Sequence, residues 1–285
     1  MNLFKFPIPN FNDKSKSTIF WRHMRFYSRK FLYYPQVKFL EKTLNMKGNE
    51  HLKNFFSNRP DACYNVTRRF CDKSFSANER VKTLIYDVNK GLESFKFLPQ
   101  DQIIFKFDED FELYLGSNRH VSEEGFWALS LRYQKHTIEQ CCFCFTLDNK
   151  LLISCIQGYQ YSDFNVLDIN KIFTKKYYGL RPIALLIECI KMLCVSLKLD
   201  ATLGVHEKNQ IRSQKGEDKG YFVDYQKIWL ENGGKLVKIN NHLYYELSHK
   251  RKNLEEIPSS KRSMYKKRFA MLEEIKQALN QSLFI

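Results

Sequence analysis

The sequence lacks the short motifs that identify common reactions. It has no Gly-x-Gly-x-x-Gly after a predicted strand, no Gly-x-x-x-x-Gly-Lys-Ser/Thr loop, no His-Glu-x-x-His pair and no Gly-x-Ser-x-Gly elbow. It also lacks an uninterrupted apolar run of about 18 residues. The closest approach, from Pro182 to Leu199, contains Glu188 and Lys191. We therefore expect no transmembrane segment, and no reaction class follows from a motif alone.

A secretion signal is also missing from the N-terminal stretch MNLFKFPIPNFNDKSKS. Its apolar residues are interrupted by Lys5, Pro7 and Pro9, and no small-residue cleavage site follows. This favours a soluble protein in a reducing cytoplasm, where eight cysteines need not form disulfides.

Acidic residues are few relative to basic ones. The chain has 31 Asp and Glu against 46 Lys and Arg, a formal net charge of +15, while 44% hydrophobic residues indicate a globular protein. Such a surplus suggests an anionic partner, which would be nucleic acid, a phosphorylated ligand or an acidic membrane surface. The alternative is a solvated basic surface without a specific partner.

The stretch FWRHMRFYSRKFLYYPQVKFL is basic and aromatic. A helical apolar stripe with a three- or four-residue spacing consists of Phe20, Met24, Tyr27, Phe31 and Tyr34. The cations on another face are Arg22, Arg25, Arg29 and Lys30. Either the stripe packs on the core, or the helix lies on anionic lipid or nucleic acid.

Four of the eight cysteines fall within Glu139 to Gly158, EQCCFCFTLDNKLLISCIQG. The pattern predicts a hairpin over Gln140 to Ile156 that turns at Asp148-Asn149. Adjacent Cys141 and Cys142 would point to opposite faces, and no fourth ligand is suggested nearby, so we predict no metal site. The cysteines are interpreted as small apolar core residues.

The order of the remaining patterns predicts an α+β fold. N-terminal helices, one of them with a capping box at Ser76 to Glu79, precede a mixed, mostly antiparallel sheet. A connection of 20 residues leads to a buried crossover helix that starts at Pro182, and another strand follows. We divide the chain into an N-terminal helical region, 1–98, packed on the core, and an α/β domain, 99–285.

The last predicted helix starts with Ser caps after Pro258. Its first turns carry a cluster of cations, which we call the C-terminal cluster: Lys261, Arg262, Lys266, Lys267 and Arg268. Cations at a helix N-terminus oppose the helix dipole, which suggests an anionic partner or an acidic patch on the same chain.

Several stretches together resemble the VirK/YbjX family of bacterial proteins, which carries a domain of unknown function. They span most of the chain, from about residue 20, and include SEEGFWALSLRY, LLISCIQG, YYGLRPIALLIECIKMLC and, most specifically, IPSSKRSMYKKRF. The resemblance implies a bacterial factor, cytoplasmic or peripheral at the inner membrane, linked to virulence, resistance to antimicrobial peptides and the outer envelope. It implies no settled activity. The family pattern after the strand at Leu203 leads us to expect Asn then His, and this chain has Asn209 then Gln210.

The first functional hypothesis is an acyl- or aminoacyltransferase with a fold like that of the GCN5-related N-acetyltransferases. The predicted donor cradle consists of Gln157, Gly158, Gly179 and Arg181. Glu123 or Glu124 would deprotonate the acceptor, and Asn209 is a further catalytic candidate. The donor would be acyl-CoA or aminoacyl-tRNA. Each of these residues also has a structural interpretation, as a strand-end turn, an ion pair or a solvated loop.

Two alternatives have no catalytic step. A non-enzymatic basic factor would bind acidic lipid or an acidic partner at the inner membrane face through Arg22, Arg25, Arg29 and the C-terminal cluster. An RNA-binding factor would stack bases on the many Tyr and Phe residues. Sequence alone leaves all three open.

Overall fold

The computed structural model describes residues 3–11, 15–96, 101–118, 121–213 and 223–284. Within these ranges it contains an eight-stranded sheet and nine α-helices. The predicted α+β class is confirmed. The likeness to the acetyltransferase fold stays a prediction.

Five helices precede the sheet: α1 (Lys16–Leu32), α2 (Tyr34–Leu44), α3 (Glu50–Asn58), α4 (Pro60–Tyr64) and α5 (Ala77–Ser94). The predicted capping box at the start of α5 is confirmed, because the Ser76 hydroxyl accepts from Glu79 N and the Glu79 carboxylate accepts from Ser76 N. One prediction here is wrong. Tyr34 does not continue the first helix. The helix ends before Tyr33, and α2 begins at Tyr34 with Pro35 in its first turn.

Of the two alternatives for the apolar stripe, packing on the core is contradicted. Of the α1 residues, Phe26 is buried, whereas Phe20, Met24, Tyr27 and Phe31 are exposed. The stripe was assigned from its spacing, and spacing alone does not show which face of a helix meets the core.

Strands β1 (Gln102–Lys106), β2 (Phe111–Ser117), β3 (Trp127–Tyr133), β4 (His136–Phe145) and β5 (Leu151–Gly158) form an antiparallel meander. The predicted hairpin of β4 and β5 is confirmed, and Asn149 in its turn has φ +57°. Cys142 lies directly across from Cys155. All eight cysteines are buried thiols, and burial raises the pKa of Cys141 well above its ordinary value. They serve the core, as expected.

The chain crosses from β5 to the parallel strand β6 (Thr202–Val205) through α6 (Val166–Lys176) and α7 (Pro182–Ser196). Pro182 starts α7 as predicted, and α7 packs on β3, β4 and α9 (Ser259–Gln281). The long connection was not predicted to be helical. It contains α6 because the Asn165 side chain caps the Leu167 amide, while Val166, Ile169 and Phe173 are buried.

The remaining elements are α8 (Tyr225–Glu231), β7 (Gly234–Ile239) and β8 (His242–Leu247). The sheet order is β1-β2-β3-β4-β5-β6-β8-β7. The predicted Ser caps of α9 are wrong, because Pro258 is its N-cap residue and makes no side-chain cap. One hydrophobic core joins the helices before residue 96 to the sheet, and within it the Trp127 indole donates to the Asp87 carboxylate of α5 over 2.9 Å.

Candidate functional site

The turn Ser122 to Gly125 holds a buried carboxylate over the β4–β5 hairpin. Gly125 has φ +106°, and a Cβ there would lie 2.6 Å from the Phe143 carbonyl oxygen, so the close approach depends on glycine. The Ser154 hydroxyl donates to the Glu124 backbone carbonyl. Glu124 is consequently fixed against the sheet, with 2% of its surface exposed.

Gln210 holds the Glu124 carboxylate from the loop after β6. Its Nε2 donates to Glu124 Oε1 over 3.0 Å, and its Oε1 accepts from the amides of Arg212 and Ser213 at 2.6 and 3.0 Å. This is the position where the family pattern predicts His. A glutamine satisfies both requirements here, because its amide group has a donor and an acceptor side.

The pKa of the Glu124 carboxyl group is raised. Burial raises the pKa of its carboxyl group above the ordinary value, against the opposing effects of the Cys155 thiol, Arg212 and Gln210. The Arg212 Nε lies 3.6 Å from Glu124 Oε1. A carboxylate with a raised pKa can take a proton from a substrate near neutral pH.

Glu124 lines a cavity of about 880 Å³, which we call the carboxylate cavity. Gln157 and Gly158, predicted to belong to a donor cradle, line the same cavity. Two pieces that carry the family resemblance, around Glu124 and Gly158, therefore meet here with Gln210, the position at which the chain departs from the family pattern.

Beyond the pair Ile153 and Gly204 the parallel strands β5 and β6 no longer pair. The buried Tyr225 of α8 lies beside the part of β5 that is not paired with β6, and the Ile156 amide donates to its hydroxyl over 3.0 Å. The backbone of β5 at Ile156 is thus already hydrogen-bonded to a side chain of the protein.

The other half of the predicted cradle lies elsewhere. Gly179 and Arg181 line a neighbouring, mainly apolar cavity of about 730 Å³. The Arg181 guanidinium donates to Glu231 over 2.6 Å. Glu139 and Asn170 line both cavities, so the two predicted halves face different spaces on either side of a common wall.

A third and larger cavity, about 1310 Å³, lies between α1 and the segments around residues 68 and 212. We call it the basic cleft. Its lining contains eight cationic residues and one carboxylate, Glu123. The cations are Arg22, Arg25, Arg29, Arg68, Arg69, Lys73, Arg80 and Arg212.

The cations of the basic cleft repel one another. Burial and the neighbouring Arg68 and Arg25 lower the pKa of Arg29, with a partial counter-effect of Glu123. Burial and Arg69 likewise lower the pKa of Lys73. Like charges at this density favour an anion that would relieve the repulsion.

Sequence reasoning identified three of the eight cations and missed the other five. Four of those five lie in short segments that fold together through backbone contacts: Cys71 N donates to Glu123 O, and Lys73 N donates to Asn209 O, both over 2.8 Å. The fifth, Arg80, lies on α5. No periodic pattern links residues 68–73 to 212. Arg80 is partly structural, since its guanidinium donates twice to the Val66 carbonyl.

The remaining predicted residues do not join the carboxylate cavity. Glu123 turns into the basic cleft, where Arg68 donates to it over 3.1 Å. Asn209 contributes its backbone carbonyl to Lys73 and lines none of the cavities described above.

The C-terminal cluster lies on α9, outside the basic cleft. Arg262 donates to the Ile257 and Glu255 carbonyls, and Arg268 donates twice to the Tyr178 carbonyl. Lys261, Lys266 and Lys267 are exposed. Two of the five predicted anion-binding residues thus already bind backbone oxygens.

Comparison with known proteins gives a family but no structural neighbour. A family model described as "Protein of unknown function (DUF535)" matches residues 15–281. An uncharacterized protein of Haemophilus influenzae is 32% identical over 276 residues, covering 92% of this chain and 89% of its own. A Mannheimia haemolytica protein named "Membrane protein LapB" is 32% identical over 229 residues, 74% of this chain and 96% of its own. No solved structure matches.

Among the described residues, no helix has both the length and the apolar character that crossing a bilayer requires. This agrees with the interruption of the most apolar stretch by Glu188 and Lys191.

Proposed function

The chain belongs to the DUF535 family, and from the geometry of its site we propose that it is a group transferase, which takes an acyl or aminoacyl group from a phosphate-bearing donor. The carboxylate cavity is the reaction site and the basic cleft is the donor site. Glu124 is the general base.

The observation that carries this proposal is the junction of the two spaces. Arg212 lines both the basic cleft and the carboxylate cavity, and it lies 3.6 Å from Glu124. A donor with its phosphates among the arginines would therefore have its reactive end near a carboxylate of raised pKa. One ligand can thus have its phosphates bound by the arginines while Glu124 accepts a proton at its reactive end.

The proposed step conserves atoms and charge. The acceptor's amine or hydroxyl attacks the carbonyl carbon of the donor's ester or thioester, and Glu124 takes the proton that the nucleophile loses. The carbon–oxygen or carbon–sulfur bond to the donor then breaks. Protonated Glu124 returns the proton to the leaving alkoxide or thiolate, so the carboxylate is regenerated.

Tyr225 favours an aminoacyl ester over acyl-CoA as the donor. An extended pantetheine arm that paired with β5 at the opening of the sheet would need the Ile156 amide, which already donates to the Tyr225 hydroxyl. An RNA-borne aminoacyl ester makes no such demand, and its backbone supplies several phosphates for the basic cleft.

Replacing Glu124 tests the reaction. Purified protein would be incubated with aminoacyl-tRNA and with acetyl-CoA, with hydroxylamine as a surrogate acceptor, and hydroxamate would be measured against a protein-free blank. Glu124→Gln should lower the rate above the blank by about 10²- to 10⁴-fold, because the variant cannot accept a proton.

Glu273→Gln, which changes an exposed carboxylate on α9 outside all three cavities, is the matched control and should keep the wild-type rate. Hydroxamate formation equal in wild type and Glu124→Gln would eliminate Glu124 as the base. A wild-type rate at the blank level with every donor would contradict the transferase itself.

A second candidate function is supported by the exposed face of α1. Trp21 and Phe31 are 67% and 85% exposed, next to the arginines that line the basic cleft. Aromatic residues beside arginines suit an anionic bilayer surface. A relative that carries the name "Membrane protein" adds support. Under this candidate the protein is a peripheral factor of the inner membrane face, consistent with the envelope role that the VirK/YbjX resemblance implies.

A further inference from the structure

Glu139 is a buried carboxylate that the proposed reaction does not use. It lies on β4 directly opposite Gly158 of β5, and 7% of its surface is exposed. Asn170 of α6 donates its Nδ2 to Glu139 Oε1 over 3.1 Å. Within the described ranges, neither the other carboxylate oxygen, Oε2, nor the Asn170 Oδ1 has a hydrogen-bond partner.

Two acceptors without donors in a buried place are energetically costly. Buried polar atoms are nearly always paired, and an unpaired one costs about 1–3 kcal/mol. Burial also raises the pKa of Glu139 to about 7, against the opposing hydrogen bond from Asn170. Both effects disappear if a positively charged donor group lies between the two oxygens.

The surroundings leave space for such a group beside an apolar side chain. A Cβ at position 158 would lie 3.4 and 3.7 Å from the two Glu139 oxygens, in ordinary van der Waals contact, so glycine leaves this space beside the carboxylate unfilled. The carboxylate cavity also has aromatic and aliphatic walls, to which Tyr161, Phe164 and Ile183 contribute. A compact cation attached to a hydrophobic group fits this combination.

We propose that Glu139, Asn170 and Gly158 form a subsite for a primary ammonium group, the α-ammonium of an aminoacyl donor with an apolar side chain. The inference rests on the proposed transferase function and names its substrate class. Glu139 accepts one N–H, the Asn170 carbonyl oxygen accepts another, and the apolar wall receives the side chain. Donors without an amine, such as simple acyl esters, leave both oxygens unpaired and bind less well.

Two probes that differ only in the amine test the subsite directly. L-phenylalaninamide carries the ammonium, and 3-phenylpropanamide has the same skeleton without it. Their dissociation constants would be measured by isothermal titration calorimetry on the full chain at pH 7.5. The amine should bind about 10- to 100-fold more tightly, the range expected of hydrogen bonds to a charged group.

Glu139→Gln should remove this preference while keeping an acceptor for the Asn170 amide. Gly158→Ala should also weaken the binding of L-phenylalaninamide, because the added methyl group would lie against the Glu139 carboxylate. Glu273→Gln, outside the cavity, should leave the preference for the amine unchanged. Circular dichroism melting of each variant would show that it is folded.

Equal affinity for the two probes, or an undiminished preference in Glu139→Gln, would overturn the subsite. The fate of the proposed function is separable from this result. A preference for the amine without any group transfer would remove the transferase and keep the subsite. Transfer at equal rates from aminoacyl and deaminated donors would do the opposite.

Discussion

Individual side chains at this site have roles that depend on one or two contacts. Gln210 joins the Glu124 carboxylate to the amides of Arg212 and Ser213, so a single amide side chain orients both this carboxylate and the loop that carries a cleft arginine. Glu139 is bonded on one oxygen and unpaired on the other. This difference in hydrogen bonding agrees with the separate roles that we propose for two carboxylates of one cavity, proton transfer for Glu124 and recognition for Glu139.

The raised pKa of Glu139 has a consequence for the stability of the fold. Its pKa is raised from 4.5 to about 7, so the folded state binds this proton more tightly than the unfolded chain does. That stabilisation is complete below about pH 4.5 and is lost as the pH rises through 7. This difference in pKa between the unfolded and the folded protein corresponds to about 3 kcal/mol in the free energy of unfolding.

Glu139→Gln should therefore gain stability relative to wild type as the pH rises from 5 to 8. Urea denaturation of the two proteins at several pH values in this range would measure the difference, with Glu273→Gln as an exposed control. A difference that stays constant with pH would mean that Glu139 has no raised pKa in the folded protein.

At the scale of single elements, α1 stands apart from the other long helices. It buries Phe26, whereas α7 is buried almost all round between the sheet and α9. The helix follows an apolar spacing, yet its apolar stripe faces outward. An exposed apolar face next to arginines suits an interface that forms only when a partner is present.

If α1 lies on anionic lipid, replacing Phe20, Trp21 and Phe31 with Ser should reduce binding to phosphatidylglycerol vesicles by at least about tenfold, because three large side chains no longer enter the interface. Co-sedimentation at low and moderate salt would measure this. The matched control replaces Leu167, Ile172 and Leu230 with Ser, which are exposed apolar residues on α6 and α8. Equal binding by both triple variants would exclude α1 as the lipid-binding element.

In the molecule as a whole, the cations behind the net charge of +15 are not equally available to bind an anion. Eight cations line the basic cleft, whereas Arg262 and Arg268 of the C-terminal cluster bind backbone carbonyls. The surplus of positive charge is therefore concentrated where three segments of chain and α1 come together. A phosphate-rich ligand should be held there rather than along α9.

Salt dependence distinguishes the two surfaces. For a single-stranded RNA oligonucleotide, the slope of log affinity against log salt should fall by about 2 in the triple variant Arg25→Gln, Arg29→Gln, Arg69→Gln, since each lost phosphate contact contributes about 0.7. The variant Lys261→Gln, Lys266→Gln, Lys267→Gln should keep the wild-type slope. The reverse pattern, measured by fluorescence anisotropy, would place the anion site on α9.

Much of the fold was predictable because it depends on local patterns. The hairpin around Asp148-Asn149, the capping box of α5 and the start of α7 at Pro182 follow from two to four neighbouring residues each. The helix in the long connection was missed because a short amphipathic segment with an Asn cap gives a weak signal. Glu124, Gln157 and Gly158 were predicted as site residues from the order of strands and helices, and all three line one cavity.

The class of fold, the family, the excess of positive charge and the use of cysteine as a core residue were all evident from the amino-acid sequence. Three features emerged from the folded chain alone: Glu123 and Glu124 face different spaces, Arg181 is paired with Glu231, and Arg212 joins the basic cleft to the carboxylate cavity. The physical reason is that local patterns depend on neighbours along the chain. Cavities and charge clusters depend on contacts between segments such as 68–73, 122–125 and 209–213, whose separation in sequence is large.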